Sequence, residues 1–186
     1  MIILNLLKRV YRSIKYRINR KLTPKSQLDI LKDRGLKVGD NFNMFNSVID
    51  EGHCWLVEIG DDVTITNSTI LAHDASTKRI LDKSKVGKVK IVNRVFIGYG
   101  SIILCNVKIG NDVIIGAGTV VSRDIPDSSI VIGNPAKIIG KTTDFIDKHN
   151  KLITEKKVYD TYWPYKTEEQ IKQMQIELND DFGYDP

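Results

Sequence analysis

Two of the three histidines in this chain sit where an imidazole could do chemistry. His53 lies in Asp50-Glu51-Gly52-His53-Cys54-Trp55, and His73 lies in Leu71-Ala72-His73-Asp74. Asp50 and Asp74 are the nearby carboxylates that would orient a ring. Neutral imidazole, with a reference pKa of about 6.5, is the side chain best suited to take a proton near neutral pH. The chain has no Gly-x-Ser-x-Gly elbow for a serine nucleophile and no Cys-x-x-Cys pair. Cys54 and Cys105 stand 51 residues apart and read as reduced thiols of a cytosolic protein, not as a disulfide framework. The third histidine, His149, falls in a polar tail, so no metal-ligating constellation stands out.

The elements that must position these side chains are written in a six-residue rhythm. From Ile59 the sequence reads IGDDVT, ITNSTI, LAHDAS; residues 77–90 interrupt it; from Ile91 it resumes as IVNRVF, IGYGSI, ILCNVK, IGNDVI, IGAGTV, VSRDIP. All nine units begin with Ile, Leu or Val, and seven of nine carry Gly, Asn or Asp at the fourth place. A period of six fits neither a helix nor a flat strand. It fits a short strand followed by a corner: the aliphatic residue points inward, and Gly, Asn or Asp tolerates the positive φ of the turn. Three such strands make one coil of a parallel β-helix, and stacked coils share one aliphatic core. His73, at the third place of its unit, is then a corner residue facing out of the prism. The interruption that follows holds Lys78, Arg79, Lys83, Lys85, Lys88 and Lys90 against one acid, Asp82. It reads as a lid beside His73, or as a solvated loop.

Three passages carry a resemblance that spans roughly residues 38–141: Leu71-Ala72-His73-Asp74 before the interruption, Ile115-Gly116-Ala117-Gly118-Thr119-Val120-Val121-Ser122-Arg123-Asp124-Ile125-Pro126, and Gly133-Asn134-Pro135-Ala136-Lys137. The chain resembles the hexapeptide-repeat acyltransferases, and among them the maltose, galactoside and polysaccharide O-acetyltransferases. The resemblance implies an all-β core with helical ends, a left-handed parallel β-helix. It implies acetyl-coenzyme A as donor, a sugar or glycan hydroxyl as acceptor (a surface-polysaccharide precursor), direct transfer within a ternary complex, and a homotrimer with active sites between subunits. His73 would be the general base and the backbone amide of Tyr99 the oxyanion donor. His53 is a second base, a contact to the acceptor, or a structural cap. Asn46 is the nearest match to an asparagine that positions substrate; Asp50 and Asp74 are the candidate partners of an imidazole. Tyr99, Ala117, Ser122, Arg123 and Lys137 would line the donor groove, with Arg123 and Lys137 facing phosphates. Arg123 departs from the family's usual Lys, and Cys105-Asn106 from its usual Pro-Gly. Another acyl group or an amine acceptor stays open, as does a non-catalytic scaffold. A γ-class carbonic anhydrase shares the fold, but needs three zinc-binding histidines that this chain does not supply in pattern.

The remaining segments are attachments. Residues 1–25 hold eight Lys or Arg and no acid, with Ile3, Leu6, Leu7, Val10, Ile14 and Ile18 near helical spacing. This basic amphipathic segment, 1–35 with a second short helix over 26–34 stopped by Gly35, either packs its apolar side on the rod or lies on an anionic membrane through residues 1–22. The second alternative places the protein peripherally on the inner face of the membrane. Nucleic acid is a third reading that is not adopted. No apolar run approaches the roughly 18 residues of a membrane span. The β-helix is expected over 36–141, beginning near Leu36. The tail, 142–186, is polar and helical, with a capping box at Thr167-Glu168-Glu169-Gln170 and Trp163-Pro164-Tyr165 as an anchor on the body or on a neighbouring subunit. The 186 residues, 41% hydrophobic and 27% charged, suit one domain with a sizeable core.

Overall fold

The computed structural model describes residues 25–186; the basic amphipathic segment and its membrane reading lie outside the described residues, apart from Lys25. Helix α1 (Gln27–Asp33) opens on Ser26, whose hydroxyl accepts from the Asp29 amide while Asp29 reaches back to the Ser26 amide. It ends at Gly35, whose φ of 103° turns the chain into the rod. Leu31 is its one buried residue and plugs the near end of the core.

Four coils and the start of a fifth follow. One sheet, A, is built of β1 (Lys37–Val38), β4 (Val57–Ile59), β9 (Val89–Ile91) and β12 (Val107–Ile109), all parallel. Sheet B stacks β2 (Asn43–Phe45), β5 (Thr64–Thr66), β10 (Phe96–Ile97), β13 (Ile114–Ile115) and β15 (Ser129–Ile132), and β16 (Lys137–Lys141) closes it antiparallel. Sheet C stacks β3 (Val48–Ile49), β6 (Thr69–Ile70), β11 (Ile102–Ile103) and β14 (Val120–Val121). The architecture is the left-handed β-helix expected, with short helices at its ends. Ile65, Ile97 and Ile115 stack in register down sheet B, and Ile49, Ile70, Ile103 and Val121 down sheet C. All seven are fully buried.

One register differs from the six-residue reading. Ile70, not Leu71, pairs with Ile103. The corner between sheets B and C is one residue shorter in the second coil, where Asn67 turns it at φ 43°, than in the third, where Gly98-Tyr99-Gly100 does. Leu71 is therefore half-buried, and His73 falls at the fourth place of its unit, level with Asn106. It is still a corner residue.

The three edges of the prism are built differently. Between A and B, each coil turns on a left-handed residue (Asn41, Asp62, Arg94, Asp112, Ser128). A ladder of side-chain oxygens runs up this edge: Asp61 accepts from the Asp40 amide at 2.8 Å, Asn93 from Asp61 at 2.8 Å, and Asp127 from Asn111 at 2.8 Å. Gly60 makes room for it; a Cβ there would collide with Asn93 Oδ1 and lie 2.6 Å from the Val92 carbonyl oxygen. Between B and C the ladder is of buried hydroxyls: Ser47 accepts from the Ser68 amide at 3.1 Å, Ser68 from Ser101 at 3.0 Å, and Thr119 from Gly133 at 3.2 Å. These small residues satisfy corner amides that no strand can reach. The third edge, between C and A, is irregular.

The outward faces also differ. Sheet A presents a charged row, Lys37, Glu58, Lys90 and Lys108, with Lys90 Nζ 3.2 Å from Glu58 Oε1. Sheets B and C present Phe45, Phe96, Ile114, Val48, Ile102 and Val120, with no charged side chain on their strands' outward positions apart from β16. The tail packs as a separate cap. Helix α3 (Thr142–Leu152) is tied to the rod by Thr142 Oγ1 donating to the Asp112 carbonyl at 2.6 Å. Helix α4 (Glu168–Glu177) has the capping box expected at Thr167 and Gln170. Strands β17 (Lys157–Val158) and β18 (Gly183–Tyr184) pair in parallel. Trp163 and Tyr165 are 67% and 78% exposed, so they do not anchor the tail on this chain's own body. No helix among the described residues is long and apolar enough to cross a membrane.

Candidate active site

The irregular edge brings Asp50, His53 and His73 together. Asp50 directly follows β3, and the corner after it widens into a seven-residue excursion with a 3-10 turn at Cys54–Leu56. One coil later the chain leaves β6 and forms a stem. Strand β7 (His73–Asp74) pairs antiparallel with β8 (Lys85–Val86), and the Gly87 amide donates to the Ala72 carbonyl at 2.9 Å. The basic excursion, with α2 (Lys78–Leu81) at its tip, is thus pinched at its root, and His73 sits in that root.

Asp50 is the centre of the cluster. Its carboxylate is buried; Oδ1 accepts from the Gly52 amide at 3.1 Å, and Oδ2 accepts from the Ala72 amide at 3.0 Å and from His73 Nδ1 in a short hydrogen bond. Burial pushes its pKa up, but the hydrogen bonds from His73 and Ala72 and the neighbouring imidazoles outweigh it and hold the carboxyl below its ordinary value. A carboxylate can only accept, so neutral His73 carries its proton on Nδ1 and leaves the Nε2 lone pair free. Asp50 and Asp74 were the two carboxylates the sequence offered as orienting partners; Asp74 lines the same cleft, but its Oδ1 accepts from the Ser76 amide at 2.9 Å, and that bond lowers its pKa. His53 stands beside the pair: its ring is 4.8 Å from that of His73 and 5.5 Å from that of Trp55. Its Nδ1 is 3.6 Å from Asp50 Oδ1, buried, and without a hydrogen-bond partner among the described residues.

A cleft of about 450 Å³ opens in front of His73, lined by Leu71, Lys85, Leu104, Cys105 and Ser122. It continues through Ser122 into a second of about 440 Å³ lined by Arg123, Ala136, Lys137 and Ile138. Ser122 and Arg123 therefore share one edge with His73; Lys137, which opens β16 in sheet B, lines the second cleft only. Asn46, Tyr99 and Ala117 do not share that edge. They stand on the hydroxyl-ladder edge, across sheet C, where the Gly118 amide donates to the Tyr99 carbonyl at 2.8 Å. Gly98 allows that close stacking, since a Cβ there would lie 2.7 Å from the Ala117 amide nitrogen. Within one chain these three do not approach His73. Leu71 and the Ala72 amide were given no role from sequence, and Lys85 was named only as one base of the interruption; the pairing of residues 73–74 with 85–86 brings Lys85 to the cleft. Asn106 supplies the left-handed corner expected of it, at φ 63°.

A rod of six-residue turns with an Asp–His pair on one edge defines a class: β-helix proteins built from hexapeptides. Residues 88–123 match the family described as bacterial transferase hexapeptide (six repeats). The chain is 39% identical over 148 residues to Protein CapG of Staphylococcus aureus, covering 70% of this chain and 85% of that one. It is 40% identical over 84 residues to the putative acetyltransferase YvoF of Bacillus subtilis (strain 168), where the match spans 45% of this chain and 46% of the relative. Among solved structures it resembles the hexapeptide-repeat acetyltransferase VCA0836 of Vibrio cholerae O1 biovar eltor complexed with acetyl-coenzyme A, with 26% identity, a TM-score of 0.52, and coverage of 59% of this chain and 61% of that one. The chain belongs to the hexapeptide-repeat acyltransferases.

Proposed function

We propose that this acyltransferase moves an acetyl group from acetyl-coenzyme A to a hydroxyl of a sugar or glycan, with His73 as general base. The observation that carries the reading is the Asp50–His73 pair on the lip of a cleft. His73 Nε2 takes the proton of the acceptor hydroxyl as its oxygen attacks the thioester carbonyl. The carbon–sulfur bond then breaks, and the imidazolium, stabilised by the Asp50 carboxylate, returns the proton to the departing thiolate. Acetyl-coenzyme A as donor is supported by the complex of the Vibrio relative, and transfer of an acetyl group by the likeness to the putative acetyltransferase of Bacillus subtilis. Arg123 and Lys137 line the continuation of the cleft and would meet the donor's phosphates.

The acting form is a homotrimer. The outer faces of sheets B and C, free of charge on their parallel strands, favour packing between copies, and the charged face of sheet A favours solvent. Such packing would bring Tyr99, Ala117 and Asn46 of one copy toward the cleft of the next, with the Tyr99 amide at the oxyanion. Cys54 and Cys105 are buried free thiols, in keeping with a reducing cytoplasm. Peripheral membrane contact rests on the sequence of residues 1–22 alone. Deleting them is expected to release the protein from anionic vesicles and to spare activity on soluble acceptors.

Thiol release from acetyl-coenzyme A, measured over a panel of sugars, tests the assignment. His73→Ala is expected to lower turnover by about 10²–10⁴-fold. Equal release by both proteins would remove His73 from the mechanism. Release with amines and none with sugars would move the acceptor class.

A further inference from the structure

The His53 ring is left over once Asp50 and His73 have been given their roles. Its Nδ1 is buried and unpartnered among the described residues, too far at 3.6 Å to bond Asp50 Oδ1, yet beside the carboxylate that His73 also grips. One ligand atom from each of Asp50, His53 and His73 can be chosen so that all lie within 4.8 Å of one another. In a tetrahedral zinc site with bonds of about 2.1 Å, ligand atoms are about 3.4 Å apart. The His53–Asp50 spacing already matches such an edge; His73 need only draw back from its short hydrogen bond. Two imidazoles and one carboxylate are a donor set that suits Zn2+ and excludes Mg2+ and Ca2+, which take oxygen cages. Buried Asp50 is held by the amides of Gly52 and Ala72, a supporting shell that fixes the ligand without occupying all its lone pairs.

We propose that Asp50, His53 and His73 form an inhibitory site for a zinc-like divalent cation. The inference rests on His73 acting as base. A neutral imidazole keeps one proton. With Nδ1–H bonded to Asp50, the free lone pair is on Nε2; with a cation on Nδ1, the proton must sit on Nε2, and the base is gone. The cation therefore stops the reaction by inverting the tautomer, without entering the acceptor's place. His53 is what distinguishes this edge from a simple carboxylate–imidazole pair, since it adds the third ligand.

The test uses the full chain and the metals alone. Calorimetry with Zn2+ is expected to show one ion per chain, and Co2+ to give the visible bands of a four- or five-coordinate nitrogen–oxygen site in the wild-type protein, a readout that needs no variant. His53→Gln and His73→Gln should each weaken Zn2+ binding by at least tenfold, and added Zn2+ should suppress thiol release until a chelator restores it. Absence of binding, an octahedral Co2+ spectrum, or unchanged Zn2+ affinity in both variants would overturn the site. Binding without suppression would overturn its inhibitory role. Full thiol release by chelator-treated His73→Gln would instead remove the base assignment, while the Co2+ spectrum continued to decide the metal site.

Discussion

Two edges of the same prism show how one repeat carries both architecture and chemistry. At the edge between sheets A and B every coil turns on a left-handed residue, and a side-chain oxygen of one coil takes the amide of the coil below. At the edge between C and A the corners have unequal lengths; Asp124 accepts from the Lys108 amide at 2.7 Å, and Asp50 reaches up to both Ala72 and His73. The same device, a side-chain oxygen one coil away accepting from a corner amide, stabilises the first edge and holds the proposed base at the second. The difference lies in what the next corner offers: an amide alone, or an amide with an imidazole beside it.

The contrast can be pressed first where the effect is largest. Asp50→Asn should cost about as much activity as loss of the base, on the order of 10²–10⁴-fold, because the amide can donate to Nδ1 and hold the wrong tautomer. Its denaturation midpoint should move far less than its rate of thiol release; a collapse of stability with no separate loss in turnover would make this edge structural too. Next comes the shared core. Ile97→Ala removes a fully buried side chain stacked between Ile65 and Ile115, and should destabilise by about 2–5 kcal/mol in urea denaturation at fixed protein concentration. On the architectural edge, Asn93→Ala frees the Asp61 amide and should cost about 0.5–1.5 kcal/mol with little change in turnover. A turnover loss there beyond a few-fold would mean the two edges are not independent. The smallest effect is at the Arg94–Asp112 pair on the same edge, where the hydrogen bond from Arg94 holds Asp112 below its ordinary pKa. That contribution is present above about pH 4 and is lost as pH falls through the lowered folded value. Because both groups are well exposed, comparing wild type with Asp112→Asn should show a shift near the limit of detection.

The inward residues were legible because a repeat states the same fact many times. The caps at Gly35 and Thr167 were legible because each is a local hydrogen-bond pattern. The register at Leu71 was not: Ile70 and Leu71 are both aliphatic, and only the tight corner at Asn67 decides which one turns inward. The choice between Asp50 and Asp74 was equally closed to local reading. Asp74 is adjacent to His73 in sequence, while Asp50, 23 residues earlier, lies one coil away on the same edge. Stacking, not adjacency, sets partners in a solenoid. Tyr99 and Ala117 were expected in the donor groove by resemblance alone, and nothing in a linear string says they lie across sheet C from the histidine.

The pinched root of the basic excursion has a consequence for how such a protein can diverge. Because Ala72 and Gly87 meet and Val89 rejoins Val57 in register, the stretch beyond His73 and Asp74, residues 75–86, can lengthen, shorten or change its charge without shifting any coil. Lys85, at the mouth of the cleft, travels with that stretch. The lining of the cleft can then be rewritten by a graft of about a dozen residues that leaves the scaffold and the Asp50–His73 pair as they were.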